Sequence, residues 1–167
     1  NTNTAGLCGA IVVAIIMQIM YKKLDLTMIL NGALGGLVAV TAGPDLYDIY
    51  TPILIGSVGG ILVVIGVSFF DKLKIDDPVG ALSVHLLNGI WGTVAVGLFA
   101  SNGDDITLLG QLKGIIVVAI FAFVSSYIIL YIINKIMPLR AGNDEEMQGL
   151  DVEECGIEAY PEFKRAF

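Results

Sequence analysis

The 167-residue chain is 56% hydrophobic and only 15% charged, with a mean hydropathy of +0.82, which excludes the ordinary soluble class. Its formal net charge of −7 argues against a nucleic-acid partner, because surfaces that bind phosphate backbones are basic. Many of its 20 glycines lie inside apolar runs, as in helices that pack closely in lipid. We therefore expect an all-α, polytopic membrane helical bundle.

Five apolar runs follow one another along the chain, and each predicts a membrane-spanning helix. Their approximate ranges are 5–21, 26–42, 50–70, 79–100 and 108–137. They make up a predicted membrane domain over residues 1–140, followed by an acidic tail over residues 141–167. Because the chain begins abruptly next to the first run, we expect it to be part of a longer protein.

Basic residues predict the orientation of these spans. Those that follow the first, third and fifth runs are Lys22, Lys23, Lys72, Lys74, Lys135 and Arg140. The intervening loops at 43–48 and 101–105 contain neither lysine nor arginine. The positive-inside rule therefore places the first residues outside and the C-terminus in the cytoplasm. Cys8 and Cys155 then lie on opposite sides of the membrane, so neither a disulfide nor a metal site is expected.

The second and third runs carry glycine at close spacing, which favours a packing role. These glycines are Gly32, Gly35, Gly36, Gly56, Gly59 and Gly60. Asn31 directly precedes the glycines of the second run, and it either bridges two helices or lines a vestibule. Tyr47 and Tyr50 flank the outer loop and are predicted to belong to an interfacial aromatic belt.

The fourth run contains the only histidine, His85, in an uncharged apolar segment. Residues 76–78, Asp-Asp-Pro, predict a helix N-terminus about two turns before it. Helical steps of three and four from His85 reach small and polar residues, which are Ala81, Asn88, Gly89 and Gly92. His85 is therefore expected to face protein or a cavity, either as a buried imidazole bonded to a neighbouring helix or as a residue of a transport pathway. Trp91, slightly off this face, is predicted to pack or to face lipid.

The tail from residue 141 alternates acidic residues with apolar ones. Such a segment is either disordered and solvated, or it lies against the cytoplasmic face or a partner. Both interpretations agree with its spacing.

Three blocks of sequence carry a resemblance to a known family. They are residues 31–38 (NGALGGLV), 76–92 (DDPVGALSVHLLNGIWG) and 149–160 (GLDVEECGIEAY). In this order they resemble the C-terminal half of the ammonium transporter (Amt) family. The resemblance implies a cell-membrane, multi-pass homotrimer of eleven-helix subunits with inverted repeats. This chain would supply the last five helices of one subunit.

The resemblance also implies a function and a site. His85 matches the second member of the family's twin-histidine pair, and Ala81, Asn88, Asn31 and Leu34 would accompany it along an ammonium/ammonia pore. The first histidine and the outer binding site would belong to the absent half. The alternative is an ammonium sensor that signals through the tail. An enzyme is not expected, because the sequence contains no nucleophile–base arrangement, metal cluster or phosphate loop, and no cofactor is implied.

The third block implies a regulatory tail. In the family this region contacts the neighbouring subunit and takes part in regulation by trimeric PII signal proteins. The matching residues here are Gly149, Leu150, Asp151, Val152, Gly156, Glu158 and Tyr160. Cys155 stands where many family members have histidine.

Overall fold

The computed structural model describes residues 1–101, 105–159 and 161. Most of these residues lie in helices that are rich in apolar side chains. No β-strand occurs among these residues, and the all-α prediction is confirmed. The α-helices are α1 (Thr2–Tyr21), α2 (Leu26–Val40), α3 (Thr51–Lys72), α4 (Leu87–Phe99), α5 (Leu108–Ile136), α6 (Asn143–Gln148) and α7 (Leu150–Cys155). A π-helical segment, Ala81–Leu86, runs directly into α4. The chain divides into two compact units, Asn1–Val118 and Ala119–Phe167.

The first unit is built on a close contact of α1, α2 and α3, in which glycines allow backbone to touch backbone. A methyl group at Gly60 of α3 would lie 2.6 Å from the carbonyl oxygen of Gly9 in α1. Gly36 of α2 meets the backbone of Ala5 in the same way. All six glycines predicted to serve packing are buried, and that prediction is confirmed.

The helices differ in their length relative to a bilayer. Of the described helices, α1, α3, α5 and the continuous helix Ala81–Phe99 are long and apolar enough to cross one. Helix α2 has 15 residues, which corresponds to about 22 Å at the α-helical rise. Its N-cap is Asp25, whose carboxylate accepts a hydrogen bond from the Met28 amide at 3.0 Å.

The loop between α2 and α3 contains a buried tyrosine. Tyr47 is only 5% exposed and packs in an apolar cluster with residues of α2 and α4, so its predicted place in an interfacial belt is wrong. The loop folds back over the ends of these helices, because Ser101 donates two hydrogen bonds to the Leu46 carbonyl. Tyr50, at the start of α3, is 70% exposed as predicted for the belt. The Asp48 carboxylate caps α3 by accepting from the amides of residues 50 and 51.

The fourth predicted span begins later than its sequence indicates. Residues 76–78 precede the helix instead of starting it, and the first helical residue is Ala81, after Gly80. Pro78 therefore does not occupy the first helical turn, and His85 lies about one turn inside the helix instead of two. The physical reason is a turn at Gly80, which has a left-handed φ of 76° and interrupts the run that hydropathy treats as continuous.

The second unit contains most of α5 and the short helices of the tail. Helix α5 has no buried residue along its 29 positions. In the tail, Arg140 and Glu146 form an exposed ion pair at 2.8 Å, and α6 and α7 follow. Three residues of the predicted outer loop, 102–104, lie outside the described part of the chain, as does Tyr160. Cys8 and Cys155 carry free thiols.

Candidate functional site

The segment that leads into the histidine-bearing helix is held by one carboxylate. Asp77 accepts hydrogen bonds from the Leu82 amide at 3.0 Å and from the Ser83 amide at 2.9 Å. It also accepts one from the Ser83 hydroxyl at 2.8 Å. Partial burial by itself raises the pKa of Asp77, but the hydrogen bonds from Ser83 and Leu82 outweigh it and leave the pKa below its usual value. Asp77 therefore caps the helix start as an anion.

The first turn of this helix is a π turn, in which amides bond to carbonyls five residues back. The His85 amide donates to the Gly80 carbonyl at 3.1 Å, and the Leu87 amide donates to the carbonyl of Leu82. Gly80 is buried, and a methyl group there would lie 2.5 Å from a methyl of Val84. Single π turns inside α-helices occur frequently at functional sites. Hydropathy does not reveal such a turn, although Gly80 marks its start in the sequence.

The residues that helical steps of three and four from His85 reach differ in their exposure. His85 and Ala81 are exposed on the surface of the chain, whereas Asn88 and Gly92 are buried inside the bundle and Gly89 is half-buried. These residues therefore do not form one uniformly exposed surface.

Helix α2 carries two further residues of the predicted site. It packs against both the π segment and α4, so the two helices that bear predicted site residues are neighbours. On α2, Leu34 is 43% exposed and Asn31 is half-buried. Within the described residues, the side chains of Asn31 and His85 form no hydrogen bond, so both can bond to groups outside this segment.

Asn88 occupies a slot inside the bundle. It is fully buried, and its Nδ2 donates to the Val84 carbonyl at 3.0 Å. Two glycines of neighbouring helices, Gly35 of α2 and Gly59 of α3, make room for the amide. Asn88 therefore does not contribute to the exposed surface on which His85 lies. The sequence did not indicate this slot, and it placed Asp77 at a helix N-terminus without indicating that Leu82 and Ser83 would be its partners.

The tail residues that match the third block lie in and around α7. Gly149 has a φ of 103°, and Leu150, Asp151 and Val152 form the first half of the helix. The Asp151 carboxylate accepts a hydrogen bond from the Ala159 amide at 2.9 Å, which closes the loop after the helix. Glu158 is exposed in that loop. The described part of the tail is thus locally structured by its own hydrogen bonds.

Comparison with known proteins identifies relatives over nearly the whole chain. The model of the Ammonium Transporter Family matches residues 1–160. Ammonium transporter Amt2 of Archaeoglobus fulgidus is 33% identical over 180 residues, covering 98% of this chain and 38% of its own length. The chain thus spans less than half of this relative.

Solved structures agree with the fold. A structure titled Sensor Amt Protein matches with a TM-score of 0.82 and 30% identity, over 92% of this chain and 40% of that one. Candida albicans Mep2 matches with a TM-score of 0.79 and 28% identity, over 95% of this chain and 39% of its own.

Proposed function

We propose that this chain, which belongs to the ammonium transporter family, supplies the C-terminal half of a membrane pathway for ammonium or ammonia. The chain is part of a multi-pass membrane protein, and the family is one of transporters and not of enzymes. The observation that carries the proposal is the exposure of His85, at the start of an apolar helix, on the surface of a chain that matches only part of its relatives. An ionisable residue at such a position is expensive in lipid and marks a pathway by default.

The mechanism follows from the cost of moving a charge through an apolar passage. Transferring a bare ammonium ion out of water costs several kcal/mol or more. Neutral ammonia avoids most of this cost, so a pore can bind the cation outside, remove its proton and pass the neutral base. A neutral imidazole offers one hydrogen-bond donor and one acceptor, which suits either ammonia or a second imidazole. His85 would supply one imidazole of a twin-histidine site, and the absent half would supply the other.

The remaining lining residues follow from their exposure. Ala81 is exposed, as His85 is, and α2 carries the exposed Leu34 and the half-buried Asn31. We assign these residues to the pore wall contributed by this chain. Asn88 is not included, because it is fully buried between helices of its own chain.

The assembly and orientation are part of the same proposal. The distribution of lysines supports a cell-membrane protein with a cytoplasmic C-terminus. The family resemblance supports an eleven-helix subunit with inverted repeats and a homotrimer. The tail, with Glu153 and Glu154 of α7 exposed, would then meet a neighbouring subunit or a PII-class regulator.

The test is ammonium transport by the full-length protein that contains this segment. We expect the protein, reconstituted in liposomes, to give an ammonium-driven current or pH change. His85→Ala should abolish or sharply alter it while the oligomer remains assembled. Ser125→Ala, on the exposed α5, is the control and should transport normally. Wild-type flux and selectivity in His85→Ala would contradict the pore assignment, and ammonium binding without any flux in the unmodified protein would favour the sensor.

A further inference from the structure

A groove between α1 and α3 opens on the surface of the first unit. Its volume is about 590 Å³, and one end of it lies at Tyr21 and Lys72, the last residues of the two helices. Apolar side chains line most of it, and they include Ile16, Met20, Ile61, Ile65 and Phe69. Ile65 is 57% exposed and Phe69 is 53% exposed. A continuous apolar surface of this kind marks a site of interaction with protein or lipid.

The length of the groove matches one leaflet of a bilayer. Along α3 it extends from Ile61 to Lys72, which corresponds to about 16 Å at the α-helical rise. The hydrocarbon core of a bilayer is about 30 Å thick, so the groove reaches from the level of the headgroups to the middle of the membrane. A spanning helix of another chain would contact both leaflets, whereas a lipid acyl chain ends at the midplane. The length therefore favours an acyl chain as the occupant.

A charged cavity adjoins the end of the groove at which Lys72 lies. It has a volume of about 350 Å³, and Lys23, Asp25 and Asp71 are among the residues that line it. The residues that line both the cavity and the groove are Tyr21, Val64 and Ser68. Within the part of the chain that the structure describes, none of the four charged side chains forms an ion pair. Asp25 already caps α2, so Asp71 is the carboxylate that remains for a ligand.

The two signs of charge at this end of the groove fit a zwitterionic headgroup. Lysine ammonium groups bind phosphate as point charges, and a carboxylate accepts charge-assisted hydrogen bonds from a primary ammonium group. A phosphoethanolamine headgroup contains both a phosphate and a primary ammonium group. A choline headgroup has no N–H to donate, and a glycerol headgroup has no cation.

We propose that the groove and the cavity together bind a phospholipid of the phosphatidylethanolamine type. One acyl chain lies on the apolar side chains of α1 and α3. Lys23 and Lys72 bind the phosphate, and Asp71 accepts hydrogen bonds from the ammonium group. Basic pockets between membrane helices are known to bind lipid headgroups, and here the carboxylate adds selectivity for the amine. The inference depends on the chain being a membrane protein and not on the solute that it transports.

The experiment uses a photo-crosslinker in place of Phe69, because this side chain is exposed in the groove. The full-length protein with benzoylphenylalanine at this position is purified in detergent and titrated separately with phosphatidylethanolamine, phosphatidylcholine and phosphatidylglycerol. Mass spectrometry identifies each adduct after illumination, and its yield gives the half-saturating lipid concentration. We expect this concentration to be about fivefold lower for phosphatidylethanolamine than for the other two lipids, the effect of one net hydrogen bond.

Two substitutions separate the two parts of the headgroup. Asp71→Asn should remove the preference for phosphatidylethanolamine over phosphatidylcholine, because the carboxylate acts on the ammonium group alone. Lys72→Gln should raise the half-saturating concentration of both lipids by about fivefold, because both contain the phosphate. The matched control is Lys113→Gln, which removes an exposed lysine of α5 and should leave both concentrations unchanged.

Three results would overturn the inference. The first is equal half-saturation by phosphatidylethanolamine and phosphatidylcholine in the protein with intact Asp71 and Lys72. The second is a preference for phosphatidylethanolamine that persists in Asp71→Asn. The third is an adduct with a peptide of the same or a neighbouring subunit at every lipid concentration, which would show that protein covers the groove. Ammonium flux does not enter these measurements, so none of the results bears on the proposed function.

Discussion

The indole Nε1 of Trp91 donates a hydrogen bond to the carbonyl oxygen of Ile55 at 3.1 Å, which joins α4 to α3. Ile55 is fully buried, and the Trp91 ring meets the ring of Phe99 edge to face with the centroids 6.4 Å apart. Trp91 is therefore a packing residue. The Nε1 atom of Trp91 thus finds its hydrogen-bond partner in a residue 36 positions earlier in the chain.

Replacing Trp91 by phenylalanine should destabilise the protein modestly. Trp91→Phe keeps most of the aromatic surface but removes the donor to Ile55, so we expect the free energy of unfolding to fall by about 1 kcal/mol. The midpoint of thermal unfolding of the purified full-length protein in detergent measures this. Trp91→Leu, which also loses the ring contact with Phe99, should melt at a lower temperature still. A Trp91→Phe variant as stable as wild type would mean that the hydrogen bond contributes nothing.

Adding a methyl group at Gly59 should be more damaging than adding one at an open glycine. In Gly59→Ala the new methyl would lie 2.9 Å from Oδ1 of Asn88 and 3.0 Å from the carbonyl oxygen of Gly35, and the backbone oxygen cannot move aside. We expect a loss of about 1–3 kcal/mol, which is typical of overpacking.

The matched control for Gly59 is Gly114 in α5, where no atom lies within 4 Å of the added methyl. Gly114→Ala should be neutral, or more stable by about 0.5–1 kcal/mol, because alanine is the better helix former. Thermal melting of both variants in the same detergent gives the comparison. Equal melting temperatures would show that α2 and α3 are not in close contact at Gly59.

Asp77 should make stability depend on pH in the acidic range. Its pKa is below the usual value, so the stabilisation is fully present above the unfolded pKa of about 3.9 and is lost as the pH falls through the folded pKa. Asp77→Asn offers one oxygen where the carboxylate offers two, and it should melt below wild type at pH 7. The two melting curves should converge when the pH is lowered towards 3. A difference that stays constant over this range would contradict a role for the charge.

Removing the hydroxyl of Tyr47 should leave stability unchanged or raise it slightly at neutral pH. The hydroxyl is buried without a partner in the described structure, and an apolar replacement of the same shape avoids that cost. Burial also raises the pKa of Tyr47 to about 12. Because the unfolded tyrosine ionises near pH 10, wild type should lose stability relative to Tyr47→Phe as the pH rises from 10 towards 12.

Melting temperatures of wild type and Tyr47→Phe between pH 8 and pH 12 test this expectation, with Tyr50→Phe as the exposed control. A parallel decline of all three proteins would indicate that Tyr47 is exposed to water.

The amino-acid sequence by itself determined the approximate position of the helices, because long apolar runs indicate segments that are buried in a membrane. Closely spaced glycines likewise indicated which helix faces pack against other helices. It also indicated His85 as the residue of interest and, through three blocks of matching residues, the family. These features are local or depend on composition. The buried glycines of α2 and α3 confirm the packing role that their spacing predicted.

Only the tertiary structure decided which way the helix at His85 turns. A prediction at 3.6 residues per turn assumes that every amide bonds four residues back. The π turn breaks this assumption, because the His85 and Leu87 amides donate to carbonyls five residues back and the Asp77 carboxylate accepts from amides of the first turn. The burial of Tyr47 and the partner of Trp91 depend in the same way on groups that are distant in the chain. Such contacts exist only once the helices have packed, so neither periodicity nor composition can report them.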